Sequence, residues 1–302
     1  MGVLDSIGNT PLVKLESLNP NPRVTVLAKL EGNNPGGSVK DRIALAMVRD
    51  AEHSGMLKKG DTILEATSGN TGIGLAMVGA ALGYRVILTM PECVSTERRK
   101  ILEAFGAELI LSPGCEGTDG AIKVCRRMHA EHPGKYFMPN QFDNPANIRA
   151  HYDTTGPEII EQTGGRIDIF VAGMGTTGTL MGSGRRLREF DPKIRIVGVE
   201  PNLGHKIQGL KNMKESIVPK NYDPSFADEK IAVADDDAFT TTRDLALKEG
   251  LFVGMSSGAA VWGALEMAKR VGSGTVVLIL PDRGDRYLST SLFTSVCAKC
   301  PP

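Results

Sequence analysis

Short apolar runs alternate with helical periodicities along the whole chain. Val24-Thr25-Val26-Leu27-Ala28-Lys29-Leu30 reads as a strand, and beyond it Ile43, Ala44, Met47, Val48 and Ala51 repeat at helical spacing up to Ser54-Gly55. The alternation continues with strands over 62–66, 85–90 and 107–111 and helices over 71–82, 95–105 and 117–131. A turn-rich stretch at 139–145 interrupts it. Beyond lie a helix over 148–162, strands over 167–172 and 194–199, an irregular stretch over 202–235, helices over 236–249 and 258–270, and a closing strand over 275–280. Strands joined by helices of these lengths predict βαβ units and parallel sheets covered on both faces, hence two α/β domains.

Composition narrows the class without naming a function. The 302 residues are 41% hydrophobic and 23% charged, the range of an ordinary globular chain of about two domains. Lys+Arg and Asp+Glu both number 35, so nothing steers the chain toward nucleic acid, an anionic membrane or a strongly acidic partner. The start, Met1-Gly2-Val3-Leu4-Asp5, has no basic lead into an apolar run, and no apolar window reaches the roughly 18 residues of a membrane span. A cytoplasmic protein is the expectation. Five scattered cysteines, Cys93, Cys115, Cys125, Cys297 and Cys300, fit reduced thiols better than a disulfide framework.

The chemistry concentrates where strands give way to helices. In Asn34-Pro35-Gly36-Gly37-Ser38-Val39-Lys40-Asp41-Arg42 the turn is dictated by Pro35, Gly36 and Gly37, Ser38 is the expected N-cap, and Lys40 falls just inside a helix. The positive end of the helix dipole and burial both disfavour its ammonium form, leaving the free amine that forms a Schiff base with an aldehyde. A solvated turn lysine is the alternative on this segment alone. Thr67-Ser68-Gly69-Asn70-Thr71-Gly72 offers hydroxyls and backbone N–H groups to a carboxylate.

Gly173-Met174-Gly175-Thr176-Thr177-Gly178-Thr179 contains GxGxxG, and Glu200 lies near the distance of a ribose-binding acid, so a dinucleotide site competes there with a cradle for a terminal phosphate. Gly254-Met255-Ser256-Ser257-Gly258 has the form of a hydrolase elbow. All five histidines precede Ser256, against the order that elbow needs. All three loops are expected to follow an apolar strand. No metal motif stands out: His129 and His132 fit an exposed helix end, and Cys297-Ala298-Lys299-Cys300 is half a zinc site at most.

Together, Gly37-Ser38-Val39-Lys40-Asp41-Arg42, Thr67 to Gly72, Gly175 to Thr179 and Ser256-Ser257-Gly258 resemble the cysteine synthases (O-acetylserine sulfhydrylases), pyridoxal 5'-phosphate (PLP) enzymes of fold type II. The resemblance runs from Ile7-Gly8-Asn9-Thr10-Pro11-Leu12 to Arg286-Tyr287-Leu288-Ser289-Thr290. It implies two domains of twisted, mainly parallel sheet covered by helices, as in tryptophan synthase β. A smaller, mobile one (36–145) would bind the substrate carboxylate, and a larger one (1–35 with 146–302) would hold the cofactor phosphate and ring nitrogen.

By the same resemblance Lys40 carries PLP as an imine, Asn70 bonds the ring hydroxyl, and Gly175, Thr176, Thr177, Gly178 and Thr179 cradle the phosphate. Ser256 meets the pyridine nitrogen; a neutral serine there limits the electron sink and favours β-elimination. Thr67, Ser68, Asn70, Thr71 and Gln141 match the positions that grip the substrate carboxylate. The implied reaction is a ping-pong β-replacement that makes L-cysteine from O-acetylserine or O-phosphoserine and sulfide, or another thiol, through α-aminoacrylate. The family is usually homodimeric.

The threonines of Gly175 to Thr179 and the run Asp282-Arg283-Gly284-Asp285-Arg286-Tyr287 look like the B-type branch. Pro281 departs from the cysteine of some B-type members, which bears on bulky sulfur donors. Lys211, in Gly209-Leu210-Lys211-Asn212-Met213, falls where phosphoserine-using relatives carry arginine. Cystathionine β-synthase, cysteine desulfhydrase and lanthionine-type enzymes share the constellation and are the rival activities. A regulatory binding partner retaining the fold is the rival without catalysis.

Overall fold

A computed structural model describes residues 2–67, 69–215 and 217–293. Strand β1 (Leu12–Leu15) lies antiparallel to β2 (Val24–Leu30), whose chain then turns into helix α1 (Lys40–His53). Next come β3 (Thr62–Ala66), α2 (Asn70–Leu82), β4 (Arg85–Pro91), α3 (Thr96–Ala104), β5 (Glu108–Ser112), α4 (Gly117–Glu131) and the two-residue β6 (Tyr136–Phe137). The segment expected as one helix over 148–162 is α5 (Pro145–Ala150), a π-helical turn over His151–Thr155, and α6 (Gly156–Thr163). Asn144 caps it through Oδ1, which accepts from the Ala146 N–H, and Pro145 occupies the first turn, where its missing N–H costs nothing.

The chain continues with β7 (Ile169–Gly173), α7 (Gly178–Phe190), β8 (Arg195–Pro201), β9 (Glu229–Val233), α8 (Asp235–Glu249), α9 (Met255–Arg270) and β10 (Gly274–Leu280). Two sheets result, in the orders β1-β2-β10-β7-β8-β9 and β5-β4-β3-β6. Every pairing except β1–β2 is parallel.

Period-two alternation along the central strands explains the layers. Val276, Leu278 and Leu280 of β10 join Ile169 and Val171 of β7 in one core, while Val277 and Ile279 join Phe170 and Ala172 in another. In the smaller sheet Val86, Leu88 and Met90 pack on one side, and Leu64, Ala66 and Ile87 on the other. No helix among the described residues is long and apolar enough to cross a membrane.

Four expectations need correction. Residues 202–235 contain β9, whose alternation is masked because it pairs only with β8, at the sheet edge. The N-cap of α1 is Val39; Ser38 still accepts from the Lys40 N–H through Oγ at 3.2 Å. No strand leads into the Gly254 loop, where Val253 makes only an isolated bridge to Arg283. Helix α9 begins at Met255, three residues before its expected start, which puts Ser256 in the first turn.

A buried ion cluster ties α1 to the larger sheet. Arg42 grips Glu31 through Nε and Nη2 (2.7 and 2.8 Å) and Glu158 through Nη1 and Nη2 (2.6 and 2.7 Å), and Lys29 Nζ lies 2.8 Å from Glu158. Burial pushes the Glu158 carboxyl up, but the hydrogen bonds and charge of Arg42, aided by Lys29, outweigh it and hold the pKa at about 2. Glu31 is lowered in the same way. A depressed folded-state pKa stabilises above the unfolded value and loses that contribution as pH falls toward the folded one. Chemical denaturation should therefore show about 3 kcal/mol lost from Glu158 alone between about pH 5 and pH 2, a loss that shrinks in Glu158→Gln.

Candidate active site

In the larger sheet β2, β10 and β7 are adjacent and parallel, so their C-terminal ends open on one edge, the place where α/β sheets bind ligands. The turn after β2 carries Lys40, the turn after β10 carries Asp282, and the loop after β7 carries Gly175 to Thr179. A cleft of about 460 Å³ lies above them, closed on the far side by α2 and the loop after β6. Lys40, Thr67, Asn70, Thr71, Gln141, Gly175, Thr176, Thr177, Thr179, Lys211 and Ser256 all line it. Gly178 begins α7 just behind the lining, and Ser68 lies outside the described residues, as do Cys297 and Cys300. Glu200, the acid of the dinucleotide reading, pairs with Ala232 in the sheet and is absent from the lining.

The Lys40 turn is pinned to β10. Val39 N–H donates to the Pro281 carbonyl at 2.8 Å, and Ser38 bridges to Asp282. Gly37 takes φ +81°, and a side chain there would strike the Arg286 guanidinium, so only glycine suits this turn. Lys40 Nζ makes no hydrogen bond with a described residue. Desolvation lowers its pKa against the attraction of Asp282 and Glu31, which favours the free amine.

The loop after β7 lines the cleft with three threonines. A side chain at Gly175 would meet the Gly209 carbonyl oxygen at 2.5 Å, so only glycine lets this loop pass so close to residue 209. Thr177, β-branched yet at φ +64°, keeps a buried hydroxyl without a partner. Thr176 Oγ1 accepts from Asn147 Nδ2 at 3.0 Å, which leaves its own O–H to donate. Thr179 Oγ1 lies 3.2 Å from Nε2 of the buried His151, whose pKa falls to about 3 through desolvation and the nearby Arg42, keeping the ring neutral. With the N-terminus of the 13-residue α7 behind them, these hydroxyls fit a phosphate monoester.

Across the cleft, Thr67 Oγ1 accepts from Gly69 N–H and Gly72 N–H, both at 3.2 Å, and Thr71 Oγ1 donates to Gln141 Oε1 at 2.6 Å. Asn70 is held at both ends of its amide, Nδ2 donating to Asp282 (2.6 Å) and Oδ1 accepting from Arg286 (2.6 Å). One Nδ2 hydrogen remains for a ligand. Asp282 also accepts from Tyr287 Oη (2.5 Å), which accepts in turn from Arg98 (2.8 Å). Ser256 Oγ makes no hydrogen bond with a described residue and faces the cleft from the start of α9. Lys211 Nζ stacks 4.6 Å from the Phe142 ring centroid, and desolvation lowers its pKa.

Sequence reasoning passed over several supporting side chains. Asn147, His151 and Glu65 lie far in sequence from the atoms they hold, and no local pattern marks them. Asp282, Arg286 and Tyr287 lie in a recognisable run, yet the grip of Asp282 and Arg286 on Asn70 spans more than two hundred residues, and Tyr287 acts only through Asp282.

The family profile for "Pyridoxal-phosphate dependent enzyme" matches residues 3–282. A cysteine synthase of Aquifex aeolicus is 50% identical over 300 residues, 97% of this chain and 92% of that protein. Cysteine synthase B of Salmonella typhimurium is 50% identical over 288 residues, 95% of this chain and 94% of that protein. The crystal structure of a cysteine synthase from Entamoeba histolytica superposes with a TM-score of 0.91 at 43% identity, covering 97% of this chain and 90% of that one. A desolvated amine set between the threonine-rich loop after β7 and the loop at the start of α2 thus coincides with near full-length similarity, and the chain belongs to the pyridoxal-phosphate dependent enzymes, in their cysteine synthase group.

Proposed function

We propose that the protein makes L-cysteine by β-replacement on O-acetylserine or O-phosphoserine, with sulfide or another thiol as the incoming nucleophile. The observation that carries this reading is the position of Lys40, a desolvated amine without a hydrogen-bond partner among the described residues, facing both anion-binding loops across one cleft. PLP, bound there, supplies an electron sink for breaking the Cα–H bond. Thr176, Thr177 and Thr179 would hold its phosphate with Gly175 and Gly178, and Ser256, a hydroxyl rather than a carboxylate, would face its ring nitrogen.

In this reading Thr67, Ser68, Asn70, Thr71 and Gln141 fix the substrate carboxylate, and Lys40 Nζ takes the Cα proton and later returns it. Movement of residues 36–145 toward the larger domain would then exclude water while the β-carbon is reactive. A cytoplasmic homodimer belongs to the same reading; exposed Leu247, Phe252 and Leu288 are apolar surface that a second copy could cover.

The test is direct. With PLP, O-acetylserine and sulfide, the protein should release L-cysteine with parallel double-reciprocal lines. No product from either donor, with the cofactor bound, would refute the reading. Cystathionine from serine and homocysteine at a higher rate would move it to the rival synthase.

Lys211 distinguishes the donors. Its ammonium lines the cleft beside Phe142, where a phosphate leaving group would sit near a partly desolvated cation. Lys211→Ala should lower kcat/KM for O-phosphoserine by about tenfold or more while leaving O-acetylserine within about twofold. An unchanged donor ratio removes Lys211 from recognition.

A further inference from the structure

We infer that Glu65 is a positioning residue that holds Gln141 in its substrate-binding posture by clamping the two backbone N–H groups on which the Gln141 loop hangs. Glu65 lies at the end of β3 and is 2% exposed. Its carboxylate accepts from the Asn140 N–H at 2.7 Å through Oε2 and from the Gln141 N–H at 3.2 Å through Oε1. These consecutive donors flank the left-handed Cα of Asn140 (φ +51°), a conformation that needs outside support in a residue other than glycine. The same strand end takes the Gln141 side chain, whose Nε2 donates to the Ala66 carbonyl at 3.2 Å.

The clamp reaches both halves of the cleft. Gln141 Oε1 receives Thr71 Oγ1, and the Gln141 carbonyl accepts from Asn147 Nδ2 at 2.8 Å. Asn147 donates from that same nitrogen to Thr176 of the phosphate loop. One buried carboxylate therefore fixes the loop through which the carboxylate-binding side is joined to the phosphate side. Among the described residues no cation pairs with Glu65, and its carboxylate is held by hydrogen bonds from the 140–141 segment alone.

The charge state of Glu65 is open to change near neutrality. Burial pushes its pKa up to about 7 against the hydrogen bonds from Gln141 and Asn140. The titratable groups around it are few. Helix α4 buries only the Cys125 thiol, itself pushed up to about 12 by burial and by Glu65; β6 brings Tyr136, the loop brings Asp143, and α2 has no ionisable side chain. Protonation removes one strong acceptor, so the clamp holds above about pH 7 and slackens below it.

This rests on the proposed cysteine-forming reaction, and two measurements separate the two. Hydrogen–deuterium exchange of the Asn140 and Gln141 amides needs no substrate. Glu65→Gln should speed it about tenfold or more, while the thermal midpoint and PLP binding stay close to wild type. In steady state the same variant should raise KM for O-acetylserine about tenfold with kcat within about twofold; wild type should show a rise in KM below about pH 7, and the variant should lack it. Unchanged exchange overturns the clamp. Faster exchange with unchanged KM, or equal losses in kcat and PLP binding, overturns the positioning role. Absence of turnover in wild type with faster exchange in the variant would instead sink the reaction assigned above.

Discussion

Replacing Lys40 with alanine should lower β-replacement by about 10⁴-fold or more, since in the proposed reaction one nitrogen both anchors the cofactor and moves the Cα proton. The fold should survive. Lys40 Nζ makes no hydrogen bond with a described residue, and desolvation disfavours its charged form against the attraction of Asp282 and Glu31, so removing it strands no hydrogen-bonded partner. The measurement is kcat for cysteine formation beside a thermal melt. Loss of activity with an unchanged melting temperature is expected; activity within tenfold of wild type would show that another group moves the proton. Methylamine added to the variant supplies a free amine, and partial recovery would fit a role in proton transfer.

Arg42→Ala should carry the largest effect on stability. The substitution strands Glu31, fully buried, and Glu158, nearly so, without the guanidinium that satisfies four of their oxygen contacts. Breaking a buried pair by removing one partner costs about 3–5 kcal/mol, against which Lys29 recovers part through Glu158. Denaturant titration of the purified variant checks this. A change below about 1 kcal/mol would mean that the cluster is hydrated in solution. Because Arg42 lies two residues beyond Lys40 on α1, a milder Arg42→Lys should also misplace the Lys40 turn, since an ammonium cannot reproduce the forked contact.

The elements that local pattern governs could be read before any coordinates. Helix α1 has its apolar face at Ile43, Met47 and Val48, and all three are buried; α2, β3, β4 and β10 likewise lie within a residue or so of their expected spans. What failed was set by distant partners. Edge strand β9 has a partner only on one side, and the π-helical turn at His151–Thr155 interrupts a periodicity that continues through it.

The site divides the same way. Lys40 and the two glycine-rich loops are marked by turn chemistry and spacing, Ser256 only by the family resemblance, and the fold brings them to one cleft. Their supports do not. Glu65 reads in sequence as an ordinary strand residue, and only the placement of 140–141 against it reveals two donors on one carboxylate. Asn70 looked like a free ligand for the cofactor and substrate, whereas half of its capacity is spent on Asp282 and Arg286.

Protein saturated with PLP, reduced with borohydride, digested and mapped by mass spectrometry should carry the phosphopyridoxyl group on Lys40 and on no other lysine. A label on Lys211 or elsewhere, or none at all, would contradict the account.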